Sequence, residues 1–110
     1  MSFEVIVTSG FKKHAKRIAK KYPSLKADLE KLIASLKENP IQGNALGRDC
    51  YKIRMAITSK GQGNSSGSRV ITYVQVFDQE AYLLTIYDKS VKKTISDKEL
   101  DELLKLAGIK

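Results

Sequence analysis

Covalent and metal-bound reinforcement is nearly absent from this chain. It holds a single cysteine, Cys50, so no internal disulfide can form and no second thiolate exists for a zinc site. That usage suits a reducing cytosol, with Cys50 a small core or strand residue; with no histidine near it in sequence, a nucleophilic role is disfavoured. Tryptophan is missing and histidine occurs once, as His14, which excludes a two-histidine acid–base pair. No apolar run approaches the roughly 18 to 20 residues needed to span a bilayer, and the N-terminus enters an alternating segment at once, so a soluble, unprocessed protein with no membrane partner is expected. Acidic residues are also in the minority. Twelve Asp and Glu stand against 20 Lys and Arg, giving a formal net charge of +8 and a pI near 9.6. This charge favours polyanionic partners, and both nucleic acid and an acidic protein fit it. At 110 residues the chain is expected to be one domain, 1–110, long enough for a real core but too short for a second.

What is present is ordered by periodicity. Phe3, Val5 and Val7 alternate with Glu4, Ile6 and Thr8 and predict a first strand, ended by Thr8-Ser9-Gly10. From Phe11 the apolar residues Phe11, Ala15, Ile18, Ala19 and Tyr22 fall at helical spacing, while Lys12, Lys13, Lys16, Arg17, Lys20 and Lys21 fill the remaining surface. Pro23 breaks this basic amphipathic helix. Leu25, Leu29, Leu32, Ile33 and Leu36 define a second helix closed by Asn39-Pro40, and the two should form an antiparallel hairpin. Residues 41–49, with Gly43, Asn44 and Gly47, show little periodicity and read as a connection. Three strands follow at about 50–58, 69–77 and 81–88, the last two joined by Asp78-Gln79-Glu80, and an antiparallel meander is expected. Ser96 and Glu99 have capping-box spacing before the stripe Leu100, Leu103, Leu104, Ala107, so a final helix ends at Gly108. The order implies an α+β domain: an antiparallel sheet with the helical hairpin on one face, a C-terminal helix, and the other face partly open.

The segment from Tyr51 to Tyr73 concentrates cations on that open face. Strand alternation puts Lys52 and Arg54 on one side, opposite Tyr51, Ile53, Met55 and Ile57. If the next strand returns antiparallel, Arg69 joins them, making a cluster of fixed charge suited to a phosphate backbone. Between the strands lies Gly61-Gln62-Gly63-Asn64-Ser65-Ser66-Gly67, which is loop material. Taken singly, each feature has a plainer explanation. Outward Lys and Arg are common on antiparallel sheets, a Lys-rich helix face often only solubilises, and strand tyrosines often just pack.

Four phrases in order, Tyr51-Lys52-Ile53-Arg54, Ser59-Lys60-Gly61-Gln62-Gly63, Gly67-Ser68-Arg69-Val70-Ile71 and Leu83-Leu84-Thr85-Ile86-Tyr87-Asp88-Lys89, resemble the RelE/HigB toxin family, HigB-type members most. The resemblance covers essentially the whole chain. It implies a RelE-like microbial ribonuclease fold and a type II toxin-antitoxin system toxin. Such a toxin is a ribosome-dependent mRNA endoribonuclease, or mRNA interferase, that needs no metal or cofactor, inhibits translation in the cytoplasm and is silenced by an antitoxin. Its partners would be the 70S ribosome, mRNA and the cognate antitoxin through an acidic segment. Some family members place a tyrosine and a further arginine near the start of the last helix, where this chain has Ser90 and Ser96.

The chemistry sets its own demands. The 2'-hydroxyl attacks the adjacent phosphate, so its proton must be removed, charge on the phosphoryl oxygens stabilised, and the departing 5'-oxygen protonated, with a cyclic phosphate as product. With one histidine among the lysines of the first helix, Lys and Arg must substitute. Lys52 is assigned as base or phosphate ligand, Arg54 and Arg69 as clamps on the developing charge, and Lys60 and Lys89 as supporting cations or the acid. Tyr73 and Tyr87 are candidates to stack on a base or position a nucleotide, and Lys12, Lys13, Lys16 and Arg17 to contact ribosomal RNA. Two other readings stay open: a non-catalytic, ParE-like gyrase-inhibiting toxin on the same fold, and a basic nucleic-acid-binding regulatory module.

Overall fold

The computed structural model describes residues 2–60 and 67–109; residues 61–66, most of the Gly/Ser stretch singled out above, lie outside the described residues. In chain order the elements are β1 (Glu4–Val7), α1 (Ser9–Lys21), α2 (Leu25–Glu38), β2 (Asn44–Gly47), β3 (Cys50–Met55), a single 3-10 turn (Thr58–Lys60), β4 (Ser68–Gln75), β5 (Glu80–Asp88) and α3 (Asp97–Leu106).

Local chemistry explains both ends of α1 and α3 and the end of α2. Thr8 starts α1, its side chain accepting from the Phe11 N–H at 3.2 Å while its hydroxyl donates to Leu83 O at 2.8 Å. Tyr22 ends it in an extended conformation (φ −126°, ψ 100°), as a residue before proline must. Asn39, before Pro40, ends α2 in the same way. Ser96 and Glu99 close the expected capping box on α3. At its other end Gly108, at φ +78°, lets Gly108 N donate to Lys105 O and Ile109 N to Leu104 O, a Schellman closure that favours glycine there.

The five strands lie in the order β1-β5-β4-β3-β2. Strands β3, β4 and β5 form the predicted antiparallel meander, β2 adds antiparallel to β3, and β1 joins the far edge parallel to β5, from Glu4 opposite Glu80 to Val7 opposite Leu83. Strand β2 was read from the sequence as connection. It exists because Arg48 (φ 55°) and Asp49 (φ 62°) both enter the left-handed region and fold residues 44–47 back onto β3. Ile71 pairs with Thr85 and Thr72 with Leu83, so Leu84 is an extra residue on β5 and bulges it.

Two apolar clusters sandwich the sheet. Phe11, Leu25 and Leu36 from the first two helices pack with Ile53, Met55, Val70, Leu83 and Ile86 on one face. On the other, Leu100 and Leu104 of α3 pack with Cys50, Ile71, Leu84 and Tyr87. This second face is covered only in part, and Lys52, Arg54 and Arg69 lie on it. None of the described helices is long and apolar enough to cross a membrane.

Candidate active site on the open sheet face

Register brings two of the predicted cations directly together. Arg54 of β3 is the partner of Arg69 of β4, and Arg69 is in turn the partner of Tyr87 of β5, so the three form a row across three strands on the α3 side of the sheet. Lys52 lies two residues along β3, opposite Ile71 and diagonal to Arg69. Directly opposed side chains on one face stand about 5 Å apart at Cβ and diagonal ones about 7 to 8 Å, near enough for all three cations to converge on one anion.

Burial differs sharply along the row. Arg69 is only 3% exposed, whereas Arg54 is exposed and Lys52 half-buried. Arg69 Nη1 donates to Ser68 O at 3.1 Å, which fixes the guanidinium against its own strand. Among the described residues neither Lys52 nor Arg54 makes an ion pair. Like charges placed opposite one another cost stability, and here one member of the pair, Arg69, is buried while the other, Arg54, reaches solvent. Tyr87 is buried as well. Burial raises its pKa, a shift that the charge of Arg69 partly offsets, so the phenol keeps its proton at neutral pH. Its hydroxyl has no hydrogen-bond partner among the described residues.

The other candidates are distributed elsewhere. Lys60 lies on the helical side of the sheet. Its Nζ is 2.7 Å from Asp88 Oδ1 and 3.3 Å from Ser90 Oγ, and stands 5.4 Å from the centre of the Tyr22 ring. Asp88 pairs in register with Ser68, on the face of Val70 and Ile86 and not that of Arg69. Lys89 follows β5 directly, its N–H donating to Gly67 O at 3.0 Å. Tyr73 shares the face of Arg69 but sits four residues along β4, roughly 13 Å away at 3.3 Å per residue. Its ring tilts against Tyr82 with centroids 5.7 Å apart. Lys12, Lys13, Lys16 and Arg17 are exposed on α1, on the far side of the sheet from Arg54 and Arg69. His14 is there too. Its Nδ1 lies 2.6 Å from Thr85 Oγ1, and burial, then Arg17 and Lys13, lower its pKa so that it is neutral at pH 7.

Two carboxylates that the sequence reading did not single out hold Thr58 and Lys60, at the start of the segment joining β3 to β4. Asp28, buried in the first turn of α2, accepts from Thr58 N at 2.9 Å, Thr58 Oγ1 at 2.6 Å and Ser24 Oγ at 2.9 Å. Burial pushes its pKa up, but these hydrogen bonds and the charge of Lys31 outweigh that and hold it below the usual carboxylate value. Asp88 accepts from Lys60, Ser90 N and Ser90 Oγ, and they likewise outweigh its burial to leave its pKa lowered. The one sequence signal for the first was Ser24 four residues ahead of Asp28 at a helix start. At the far end of the segment Gly67 passes so close to β3 that a Cβ there would lie 2.5 Å from Met55 O, which leaves no room for a side chain.

The chain matches the family model described as "RelE toxin of RelE / RelB toxin-antitoxin system" over residues 9–110. No curated protein sequence matches it significantly. Among solved structures it is similar to a doubly substituted E. coli toxin RelE in the free state, with TM-score 0.61, 18% identity, and 98% of this chain and 96% of that one covered. It is similar also to the toxin-antitoxin complex RelBE2 of Mycobacterium tuberculosis, with TM-score 0.61, 14% identity and 80% and 92% covered. A third match is the intact E. coli RelBE toxin-antitoxin complex, with TM-score 0.59, 18% identity and 79% and 96% covered. At these identities the structural likeness establishes the fold alone.

Proposed function

Because the chain belongs to the RelE toxin family, we propose that it is the mRNA-cleaving toxin of a type II toxin-antitoxin pair, acting on translating ribosomes in the cytoplasm. The observation that carries this reading is the register pairing of Arg54 with buried Arg69, with Lys52 diagonal to them on the part-open face. Three cations around one point suit a phosphate passing to a pentacoordinate state, whose added negative charge is spread over the non-bridging oxygens.

In this reading the 2'-oxygen forms a bond to the adjacent phosphorus and the bond to the 5'-oxygen breaks, leaving a cyclic phosphate. Arg69, held by Ser68 O, and Arg54 clamp the non-bridging oxygens. Lys52 takes the 2'-hydroxyl proton or binds the phosphate, and Lys89 is the candidate to protonate the leaving 5'-oxygen. Tyr73 and Tyr87 border the same face as nucleotide-positioning candidates. Lys60 contributes from behind, by fixing the end of β5 through Asp88. The cations of α1 dock ribosomal RNA. The similar folds solved as RelBE complexes support an antitoxin partner for this chain, and its +8 charge favours an acidic one.

The test is 5'-end mapping of a defined mRNA in a purified translation system, with wild type and Arg69→Ala, each with and without ribosomes. Cuts within translated codons that require both ribosomes and Arg69 are expected, with the variant slower by about 10²- to 10³-fold, as for removal of one donor to a developing oxyanion. A folded wild type that arrests growth but makes no cuts would overturn the nuclease reading and leave gyrase inhibition or simple nucleic-acid binding.

A further inference from the structure

Behind the arginine row, a buried serine closes the end of the β3–β4 ladder. Ser68 precedes Arg69 and is the register partner of Met55, which follows Arg54, so this pair adjoins the pair of arginines and is the last of the ladder among the described residues. Ser68 is 0% exposed, and alternation puts its side chain on the face of Met55, Val70 and Ile86, away from the cations. A hydroxyl withdrawn from water costs stability unless it is hydrogen-bonded, and this one donates to Met55 O at 3.0 Å. The same carbonyl is crowded by Gly67, where a Cβ would lie 2.5 Å from it, and Gly67 O accepts from Lys89 N at 3.0 Å. The end of β3 is thus pressed against β4, and β4 is tied in turn to the end of β5.

The main chain of the same serine serves the other face. Ser68 O accepts from Arg69 Nη1 at 3.1 Å. One residue therefore reaches both arginines: its carbonyl holds the guanidinium of Arg69, and its hydroxyl holds the residue that follows Arg54. The tie has a force to resist. Arg54 and Arg69 are like charges set opposite one another, which drives their strands apart, and the last pair of a ladder is where strands open most readily.

We propose that Ser68 is a positioning residue: its hydroxyl, bonded to Met55 O, fixes the separation of Arg54 and Arg69 and so the width of the anion clamp. That the clamp serves cleavage rests on the nuclease reading above; the tie between the strands does not. Ser68 acts through geometry alone, from the far face of the sheet. A displacement of about 1 Å at a reacting centre can cost about 10²-fold in rate, so loss of this one bond reaches the chemistry without removing a charge.

Ser68→Ala removes the hydroxyl and keeps the carbonyl, and Ser68→Cys keeps a weak donor of similar size. Val74→Ala is the comparison. Val74 is buried in the same strand and on the same face, six residues along and about 20 Å away at 3.3 Å per residue, so its truncation lowers stability without approaching either arginine. Hydrogen exchange on isotope-labelled protein needs no cleavage. With Ser68→Ala the protected amides among residues 53–55 and 68–70 should exchange about tenfold faster, the factor for loss of one hydrogen bond, while those of 80–83 keep their rates. In the purified translation system kcat should fall about 10- to 10²-fold with Ser68→Ala and less with Ser68→Cys, at unchanged KM for the mRNA–ribosome complex. Val74→Ala should leave kcat unchanged. Exchange accelerated evenly across the sheet, an equal loss of kcat in Val74→Ala, or a Ser68→Ala variant matching wild type in exchange or in kcat would overturn the proposal. A wild type that makes no cuts would remove the nuclease reading, and exchange at 53–55 and 68–70 would still decide the tie.

Discussion

The ion pair between Lys60 and Asp88 should matter more to the fold than an ordinary surface pair, and its size can be worked from its surroundings. Both side chains are nearly withdrawn from water, at 11% and 7% exposure, and the N–O distance is 2.7 Å. Removing one partner of a buried pair costs about 3 to 5 kcal/mol when the survivor is stranded. Here neither is stranded: Lys60 keeps Ser90 and the Tyr22 ring, and Asp88 keeps two bonds from Ser90. The expected loss for Asp88→Asn or Lys60→Met is therefore about 2 kcal/mol, the scale of one hydrogen bond to a charged group. For a domain of this size that lowers Tm by roughly 8 to 16 °C. In a double-mutant cycle the two should couple by more than about 1 kcal/mol. The pH dependence has a definite sign. The Asp88 carboxyl is more acidic folded than unfolded, so its contribution is complete above the ordinary value of 3.8 and disappears as pH falls through the lower folded value. Urea unfolding of wild type, both single variants and the double variant at neutral and acidic pH reads all of this. A coupling indistinguishable from zero, or an acid-sensitive component undiminished in Asp88→Asn, would refute the assignment of Lys60 as a strut.

Arg54→Ala should separate stability from activity. Relieving a like-charge pair across β3 and β4 raises stability by roughly 0.2 to 1 kcal/mol, while cleavage falls about 10²- to 10³-fold, so denaturant melts and end mapping on the same preparation should move in opposite directions. Tyr87→Phe removes a buried hydroxyl that has no partner among the described residues. The variant should be as stable as wild type or up to about 1 kcal/mol more so, and a loss of stability in thermal melts would contradict the unpartnered state of that hydroxyl.

Most of the architecture was legible because it rests on local pattern. The helical stripes from Phe11 and Leu25, the capping box at Ser96 and the alternation in β3, β4 and β5 are each decided within a dozen residues. Strand β2 was not legible. Its four residues, Asn44, Ala45, Leu46 and Gly47, carry no alternation, and it becomes a strand only because β3 offers a pairing edge and Arg48 and Asp49 accept a left-handed turn. The parallel pairing of β1 with β5 joins opposite ends of the chain, and nothing within either strand states its partner.

The same division runs through the site. That Lys52 and Arg54 share a face follows from alternation alone, but that Arg54 meets Arg69 head on is a matter of register, set by a connection whose length could have placed any of several residues there. Lys60 shows how proximity in sequence misleads. It lies six residues beyond Arg54, yet the 3-10 turn held by Asp28 carries it to the helical side of the sheet. Lys12, Lys13 and Lys16 of α1 are exposed on the other side of the sheet from the arginine row. A helix alone is about 10 Å across, already more than the roughly 8 Å screening length of physiological salt. Lys12, Lys13 and Lys16 can therefore raise the local concentration of a phosphate-rich partner, but they stand too far off to share in stabilising charge at Arg54 and Arg69.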